Sequence, residues 1–540
     1  KGTSSRATKL VHGGVRYLAQ GNISLVREAL HERTTLLNNA PHLAQPLPFI
    51  MPSYQWWETP FYGIGLKMYD ALAGKAGLGK TEFLNRAQTL KYLPTALPKG
   101  LQGGVKYWDG QFNDAKLAMA LARTAASRGA LLVNYCRAAH LLYESGKVSG
   151  LVCEDTLTGK QYTVNTRCVV NATGVWVDEL RQKDGAASGA SSKNAGKPGA
   201  TKPMVTPSQG VHIVVDRSFL DSDVALMVPK TADGRVLFAV PWLGKVILGT
   251  TDTPRNDLAR EPLPFKEEVD FILNESARYL RKAPTRADVK SVWVGLRPLV
   301  KPQDDDGDNT KGISREHTVM VSRSGMVTVT GGKWTTYRAM AEDVLDACAD
   351  KALLEKRDKG VTTHLKLVGA DIAPSQIQSI CRPPGLHSYG GEQATVLAMP
   401  GAQALLQHLI RRSPERWVHR NVHYYDETLK SLEEAREYAA PLATREGRSA
   451  FFRYLADTMA PAGFAAFIKE LKERRQRQEP FPLPLLLLYS RQDPLVPPAT
   501  GEKLHALIPE ARLEWLPDTS HFAHVDSPQR VAALLIDHLH

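Results

Sequence analysis

Hydrophobic residues recur at two different spacings along this chain. Near the start they repeat every three to four positions, which predicts an amphipathic helix over residues 22–38 that Pro41 ends. A second helical stretch begins at Asn113 or Asp114, either of which can cap it, and stops near Gly129. Runs of strand type follow at 131–134, 138–143, 148–154, 161–165 and 168–171.

The next part of the chain is richer in strands than in helices. Residues 46–106 carry many Pro, Gly and aromatic residues with weak periodicity, so we expect short strands and turns there. Further strands are predicted at 211–215, 236–240, 246–249, 289–295 and 327–330, with one helix around Val269, Ile272 and Leu273. This order predicts a mixed fold of α/β and α+β type.

Three stretches interrupt this pattern of predicted helices and strands. Residues 184–202 have low complexity, and we expect a surface loop. The acidic run 304–308 lacks the distal Glu of a calcium loop and is expected to be solvated. A Pro/Gly/Ser-rich passage at 370–402 indicates a boundary, after which residues 403–475 are helical and basic. Strands 484–490 and 512–516, with a helix at 499–507 between them, predict a second α/β unit.

Composition narrows the possible partners. The net charge of +12 would attract an acidic membrane surface, nucleic acid or a phosphorylated substrate. Five scattered cysteines without a C-x-x-C pair indicate neither a disulfide framework nor a zinc site, and favour a reducing cytoplasm. The aromatic segment Trp56–Tyr62, followed by Lys67, fits either buried packing or membrane docking, and we favour packing.

Two glycine-containing segments suggest a ligand site. The first, residues 2–18, contains Thr-Ser-Ser, then Lys9, then His12-Gly13-Gly14 and Arg16-Tyr17. Glycines allow the backbone to approach an anionic or flat ligand, because they have no Cβ. In the second segment, strand 327–330 runs through Gly331-Gly332 into a helix, where backbone N–H groups can face an electron-rich ligand.

These segments resemble the FAD-dependent glycerol-3-phosphate dehydrogenases, which are aerobic and quinone-linked. Four further stretches carry the resemblance in the same chain order: residues 171–177, 241–242, 249–252 and 295–299. The resemblance covers roughly residues 1–390. It implies a partial FAD-binding domain of the two-dinucleotide-binding type and a β-rich substrate domain. The FAD-binding parts would be about 1–45, 110–180 and 320–350, and the substrate-side parts about 46–109 and 203–319.

The resemblance also implies the chemistry and the site. FAD would accept a hydride from C2 of sn-glycerol 3-phosphate, giving dihydroxyacetone phosphate, and pass electrons to a quinone. Catalytic roles would belong to His12, Arg297 and Lys333, and substrate contacts to Arg16, Tyr17, Arg315 and Thr335. Cofactor contacts would come from Ser4, Ser5, Lys9, Gly13, Gly14, Thr173, Gly174 and Gly332. No metal is expected.

Some of these roles have structural alternatives. His12 is the leading proton acceptor, since imidazole titrates near neutral pH, but it would equally pack the flavin turn. His212 is a second candidate for which we weight packing above catalysis. Ser4 and Ser5 would serve as well to cap a helix.

The resemblance has one large departure. Members of the family begin with a strand and a G-x-G-x-x-G loop, and Lys1 already lies past both. We therefore expect this chain to bind FAD poorly and its activity to be impaired.

The last part of the chain, residues 403–540, resembles the C-terminal portion of α/β-hydrolases with a helical cap. Asp493 and His521 match the acid and base positions of that fold. No G-x-S-x-G nucleophile elbow occurs in the sequence, so we expect vestigial positions and no acyl transfer.

The preferred function is therefore FAD-dependent oxidation of glycerol 3-phosphate by a chain with a fused hydrolase-like part. The alternative is a catalytically inactive remnant or interaction protein. A cytoplasmic location is expected, with a peripheral position on the inner face of the membrane left open, and no nucleic-acid partner.

Overall fold

The structure, a computed structural model, describes residues 2–18, 21–187, 202–232, 234–301, 316–392, 407–422, 424–426, 431–458, 461–493 and 496–539. The chain divides into two compact units, Lys1–Gly390 and Gly391–His540. The predicted loop 184–202 falls largely outside the described residues, and so do the acidic run 304–308 and Arg315.

A mixed sheet of ten strands forms the centre of the first unit. Its strands are β1 (Leu10–Val11), β2 (Ala44–Ser53), β3 (Glu82–Asn85), β4 (Gly103–Phe112), β9 (Val205–Asp216), β10 (Ala225–Val228), β11 (Leu237–Trp242), β12 (Lys245–Gly249), β13 (Thr253–Pro254) and β14 (Ser291–Val300). The order is β1-β4-β2-β10-β11-β12-β9-β13, with β3 beside β4 and β14 beside β9.

Both faces of this sheet are buried. In β2, Ile50 contributes to the core on one face, while Phe49 and Met51 contribute to the core on the other. This follows from the strand period of two, which sends neighbouring side chains to opposite faces. The predicted strands 211–215, 236–240, 246–249 and 289–295 are confirmed as β9, β11, β12 and β14.

Two three-stranded sheets complete the strands of the first unit. The predicted meander is confirmed as β5 (Cys136–Glu144), β6 (Lys147–Asp155) and β7 (Gln161–Asn165). The other sheet has the order β15-β16-β8, formed by β8 (Val170–Asn171), β15 (His317–Val321) and β16 (Val327–Gly331). β16 runs parallel to β8, and its carboxyl end leads into Gly332 and Lys333.

Helices cover these sheets. They are α1 (Val15–Leu18), α2 (Ile23–Asn39), α3 (Glu58–Ala73), α4 (Arg86–Tyr92), α5 (Asp114–Ser127), α6 (Val177–Ala187), α7 (Lys266–Ala277) and α8 (Tyr337–Asp350). The predicted cap of α5 is confirmed at Asn113, whose side chain accepts a hydrogen bond from the first turn. The Asn22 side chain caps α2 in the same way, which had not been predicted from the sequence. The predicted apolar face of α7 packs on the sheet through Val269, Ile272 and Leu273.

Three predictions about local structure were wrong. Residues 46–106 contain the 16-residue helix α3, although their many Pro, Gly and aromatic residues had predicted short strands and turns. The aromatic segment there is not packed inside, since Trp56 is 81% and Phe61 is 65% exposed. Residues 131–134 do not form a strand; Leu131 is exposed, and no described strand pairs with this stretch.

The second unit is helical with a small parallel sheet. Its strands are β17 (Leu486–Ser490) and β18 (Arg512–Leu516), as predicted. Its helices are α9 (Pro414–Asn421), α10 (Leu432–Ala443), α11 (Arg445–Thr458), α12 (Pro461–Gln476), α13 (Pro498–Leu507), α14 (Ala523–Asp526) and α15 (Pro528–Leu539). In the described parts of both units, every helix is too short or too polar to cross a bilayer.

Candidate active site

Arg297 is held by the break between β12 and β13. Both of these strands pair with the same edge of β9, and residues 250–252 connect them. The Arg297 guanidinium reaches this connection, donating from Nη1 to the Thr251 carbonyl at 3.0 Å and from Nη2 to Thr250 Oγ1 at 2.9 Å. Asp252 Oδ1 lies 3.3 Å from Nη1 and partly balances the charge.

This arrangement requires a glycine in the intervening strand. Gly210 in β9 is the register partner of Gly295, two residues before Arg297. A Cβ at position 210 would overlap the Arg297 guanidinium. The absence of a side chain at Gly210 therefore allows Arg297 to cross β9.

Lys333 follows β16 at the turn into α8. Gly331 and Gly332 both have positive φ, at 81° and 70°, which glycine adopts without strain. They aim the Lys333 ammonium at the ring of Tyr17, whose centroid is 4.5 Å from Nζ. The two glycine-containing segments identified in the sequence therefore meet through Lys333 and Tyr17.

His212 lies in the middle of β9, beside these cations. Its Nε2 is 2.9 Å from Thr8 Oγ1, and its ring stacks on Trp293 with centroids 5.3 Å apart. Nδ1 has no hydrogen-bond partner among the described residues. Burial lowers the pKa of His212 well below 6.5, and the charges of Arg297 and Lys9 lower it further. The imidazole is therefore neutral at neutral pH.

A cavity of about 150 Å³ joins these groups. Its lining includes His12, the leading candidate for proton acceptor, and Thr335, the predicted substrate contact. Four of its lining side chains are basic or imidazole groups besides His12: Arg6, His212, Arg297 and Lys333. None of the described lining residues is Asp or Glu, so the cavity suits an anionic ligand.

A larger cavity of about 830 Å³ shares part of this lining. It lies against β8 and β16, and its walls are the turns at residues 2–4, 172–176 and 331–334 together with one side of α8. The predicted cofactor contacts Ser4, Thr173, Gly174 and Gly332 all line it. Lys333 lines both cavities and therefore marks where they meet.

These glycine turns and the size of the larger cavity decide whether a dinucleotide cofactor fits. The volume lies within the range of about 300–1,000 Å³ that is usual for small-molecule sites. Backbone turns without side chains, as at Gly174 with φ of +64°, permit close approach by a flat ring. The residues present fit a flavin on these grounds.

The family comparison gives the same interpretation. Residues 1–338 match the family described as FAD dependent oxidoreductase. The chain belongs to this family. FAD is the cofactor of the family, and residues 389–528 match a second family, described as alpha/beta hydrolase fold.

Individual relatives of this oxidoreductase are glycerol-3-phosphate dehydrogenases. The mitochondrial glycerol-3-phosphate dehydrogenase of Bos taurus is 43% identical over 403 residues, covering 72% of this chain and 53% of the relative. That of Mus musculus is 45% identical over 361 residues, covering 64% and 48%. The chain thus spans about half the length of the curated relatives it matches.

A solved structure is also similar to this chain. The crystal structure of the glycerol-3-phosphate dehydrogenase from Bacillus halodurans complexed with FAD matches it with a TM-score of 0.55. It is 27% identical, and the match covers 85% of this chain and 87% of that one.

Several predicted site residues of the oxidoreductase lie away from both cavities. Lys9 is buried, donates to Asp114 Oδ1 at 2.6 Å and to the Ser5 carbonyl at 3.0 Å, and lies over the rings of Trp242 and Trp293. Burial lowers the pKa of Lys9. Ser4 and Ser5 lie within the 3-10 turn Thr3–Ser5, and strand β1 follows it instead of a helix, so the capping alternative for the serines is not realised.

Gly13 and Gly14 hold the turn instead of lining a cavity. The Gly13 N–H donates to Tyr69 Oη at 2.9 Å and to Asp109 Oδ1 at 3.3 Å. Asp109 is buried against Arg33 at 2.8 Å and accepts from Tyr69 at 3.0 Å. Burial raises the pKa of Asp109, which Arg33 partly offsets. For Arg16 the structure describes only its backbone, in α1.

Sequence reasoning missed three contributors to the smaller cavity. Arg6 lines both cavities, donates to the Val294 carbonyl at 3.5 Å and pairs with Glu261. Thr8 holds His212, and Gly210 makes room for Arg297. The signal available for Gly210 was a glycine directly before the predicted strand 211–215, two residues ahead of its histidine.

In the second unit, the structure brings the two predicted hydrolase positions together. Asp493 follows β17 and His521 follows β18, and the carboxyl ends of parallel strands meet at one edge. His521 Nδ1 lies 3.0 Å from Asp493 Oδ2. Asp493 Oδ1 also accepts from the Val496 N–H at 2.9 Å, which fixes the carboxylate.

Proposed function

We propose that the first unit oxidises sn-glycerol 3-phosphate to dihydroxyacetone phosphate with FAD, and that a quinone receives the electrons. The smaller cavity is the observation that carries this proposal. It gathers Arg6, Arg297 and Lys333 without a lining carboxylate among the described residues, which favours a phosphate dianion. The names of the relatives and their identity of 41–45% support the substrate.

The larger cavity is the proposed flavin site. Ser4, Thr173, Gly174 and Gly332 would hold FAD there. The chemistry that FAD supplies when bound is acceptance of a hydride from carbon. Because Lys333 lines both cavities, substrate in the smaller one would lie next to cofactor in the larger one.

The chain's own groups would bind the phosphate and move a proton. Arg297 has a planar guanidinium suited to two parallel hydrogen bonds with phosphate. His12 and His212 both line the smaller cavity and are the two candidates to accept the proton of the C2 hydroxyl. Burial keeps His212 in the neutral form, but its lowered pKa also makes it a weak base, so His12 stays the leading acceptor. Thr8, at 2.9 Å, would fix the His212 ring.

Dye reduction by the full chain, reconstituted with FAD, tests the proposal. Turnover should require glycerol 3-phosphate. Arg297→Ala should lower kcat/KM by about 10- to 100-fold, as expected for a lost charged hydrogen bond, and Lys333→Ala should lower it as well. Exposed Lys160→Ala is the control for lost charge and should leave turnover unchanged.

FAD titration of the same preparation separately tests the expectation of weak cofactor binding. A chain that binds FAD stoichiometrically without turnover would favour the inactive alternative.

We also propose that α3 docks on an anionic membrane surface, where a quinone would be available. Four apolar side chains at helical spacing are exposed along α3 and its N-cap residue: Trp57, Phe61, Ile64 and Met68. Trp56 precedes the helix and is 81% exposed, and Lys67 lies on the exposed surface. An apolar stripe with aromatic and basic residues is typical of a helix that lies in a membrane interface.

Vesicle sedimentation tests this docking. The full chain should bind vesicles that contain anionic lipid, and binding should weaken as salt is raised. Phe61→Glu with Ile64→Glu should lower the partition coefficient by about tenfold or more, because apolar burial is lost. Met119→Glu is a matched control, since Met119 is 62% exposed on α5. Equal losses in both variants would contradict a role for α3.

A further inference from the structure

Two thiols lie next to each other behind the part of the larger cavity's wall that Val170 and Val344 form. Cys348 is buried in the last turn of α8, and Cys168 is half-buried two residues before β8. Their Sγ atoms are 3.6 Å apart, and both cysteines are free. A disulfide bond is about 2.05 Å long, so the sulfurs are about 1.5 Å from bonding distance.

We propose that Cys168 and Cys348 are a redox site, forming a reversible disulfide when hydrogen peroxide is the oxidant. The pair joins two elements that are far apart in sequence and pack in one cluster, where Cys168 contacts the core formed by Val327, Val344 and Cys348. Only a small approach of α8 and β8 is needed, because the two sulfurs are already neighbours.

The two cysteines have different surroundings, which orders the steps. Burial, followed by the contact with Cys168, raises the pKa of Cys348 to about 11. Cys168 is half-buried whereas Cys348 is 0% exposed, so peroxide reaches Cys168 first. The Cys168 thiolate attacks one peroxide oxygen, the O–O bond breaks, and a sulfenic acid and hydroxide form. The Cys348 sulfur then attacks the Cys168 sulfur, and the S–O bond breaks. The Cys348 proton leaves with the hydroxyl as water. Two thiols are oxidised, and one peroxide is reduced to two waters.

An opening beside the pair gives an oxidant access. A cavity of about 500 Å³ is lined by Arg167 and Ala349, the sequence neighbours of the two cysteines. Leu345 lines this cavity and also the larger cavity of the active site. Cys168 is half-buried and its neighbour Arg167 lines this cavity, so a small neutral oxidant has a route to the Cys168 sulfur from a side other than the flavin side.

The disulfide would change the wall of the proposed flavin site, a consequence that rests on the proposed function. Val170, two residues after Cys168, and Val344, one helical turn before Cys348, both line the larger cavity. Drawing the two sulfurs together pulls these walls toward each other. Oxidation should therefore narrow the cavity and weaken FAD binding.

The disulfide itself is tested without measuring activity. Cys136 and Cys153 are first changed to Ser, because Cys153 interacts with Cys136 and forms a competing pair. Treating the full chain with peroxide should then remove two thiols and lower the mass by two hydrogen atoms. A non-reduced peptide joining Cys168 and Cys348 should appear, while Cys381 stays reduced. Dithiothreitol should reverse all three changes.

Two single variants keep this test decisive. Cys168→Ser should abolish thiol loss under the same treatment. Cys348→Ala should leave Cys168 as a sulfenic acid that dimedone labels, because no resolving thiol is present. Retention of all thiols by the folded chain, or conversion of Cys168 to sulfinic acid with Cys348 still present, would overturn the site.

FAD titration before and after oxidation tests the consequence. The Kd should rise several-fold on oxidation, return with dithiothreitol, and not respond to peroxide in Cys168→Ser. A cross-link that leaves the Kd unchanged would overturn the effect on the cavity while the redox site stands. If neither form binds FAD, the effect on the cavity fails together with the proposed function, and the mass and thiol measurements still decide the disulfide.

Discussion

Gly210 shows how a single residue without a side chain can determine where a charge lies. Arg297 reaches Thr250 and Thr251 only because nothing projects from β9 between them. The residue and its neighbour His212 occupy a buried strand that the sequence pattern alone assigns to packing. Gly210 matters to the site because the Arg297 side chain passes over it from the neighbouring strand, and no local sequence pattern encodes a contact between strands.

Replacing Gly210 by Ala should therefore displace the Arg297 guanidinium. We expect KM for glycerol 3-phosphate to rise by about tenfold or more, since a charged hydrogen bond is lost or weakened. Steady-state dye reduction measures this effect. Gly65→Ala in α3 is the control, because a Cβ there meets no atom within 4 Å and alanine favours a helix. An unchanged KM in Gly210→Ala would contradict phosphate binding by Arg297.

His212 should also make the stability of the first unit depend on pH. Its pKa is lowered well below 6.5 in the folded chain, with Arg297 and Lys9 as its charged neighbours. In the unfolded chain it titrates near 6.5. As the pH falls below 6.5, the unfolded state takes up a proton that the folded state does not, so the free energy of unfolding falls. The slope approaches about 1.4 kcal/mol per pH unit.

Urea unfolding at pH 6.5 and one unit lower measures this contribution. His212→Gln should lose less stability over that interval than the parent chain, because the titrating ring is gone. His140→Gln removes an exposed imidazole from β5 and should behave as the parent does. Equal pH dependence in the parent and in His212→Gln would mean that His212 is protonated in the folded state.

At the scale of elements, the turn that carries His12 is attached to three parts of the fold. Gly13 donates to Tyr69 of α3 and to Asp109 of β4, and Asp109 pairs with Arg33 of α2. All three side chains are buried. This network positions the turn relative to the sheet, so its loss should affect both stability and the site.

Asp109→Asn should destabilise the first unit by about 3–5 kcal/mol, because it leaves the buried Arg33 charge without its counter-ion. Tyr69→Phe should cost about 1–3 kcal/mol, since two hydrogen bonds are lost. Urea unfolding gives both values. Glu154→Gln, which breaks the exposed pair with Arg137, is the control and should cost less stability than either of these variants, because solvent screens an exposed ion pair. A cost for Asp109→Asn as small as this control would refute the network's role.

How far the sequence predicted these elements depended on whether local signals agreed. The helices α2 and α5 were predicted well, because each has an apolar period and a second local signal, which is Pro41 after α2 and the Asn113 cap before α5. For α3 the apolar stripe was obscured by Gly63, Gly65 and aromatic residues that lie on the exposed face. Residues 131–134 have strand composition, but a strand also needs a hydrogen-bonding neighbour, which composition cannot supply.

The parts of the site that depend on local sequence features could likewise be predicted. The glycine turns at residues 13–14 and 331–332 are local features, and the positive φ of Gly332 could be expected from its type. Lys9 was assigned to the cofactor from its position in the motif, whereas its charge is paired with Asp114. That pairing joins residues 105 positions apart and has no local signature.

At the scale of the whole molecule, the chain combines two units with different family matches. The oxidoreductase match ends at residue 338 and the hydrolase-fold match begins at residue 389, with the unit boundary between Gly390 and Gly391. In the second unit the acid and base are in place at 3.0 Å, although the sequence contains no G-x-S-x-G elbow. The correct geometry of the Asp493–His521 pair therefore does not by itself make this unit a serine hydrolase.

The second unit should accordingly show no serine-hydrolase turnover. An imidazole held by a carboxylate can activate a nucleophile but cannot itself replace the serine of the acyl-transfer cycle. We expect hydrolysis of an activated ester such as p-nitrophenyl acetate by the full chain to equal that of His521→Ala. Circular dichroism of both proteins verifies that the variant is folded. A burst of p-nitrophenolate that disappears in His521→Ala and in Asp493→Ala would instead reveal a nucleophile outside the G-x-S-x-G pattern.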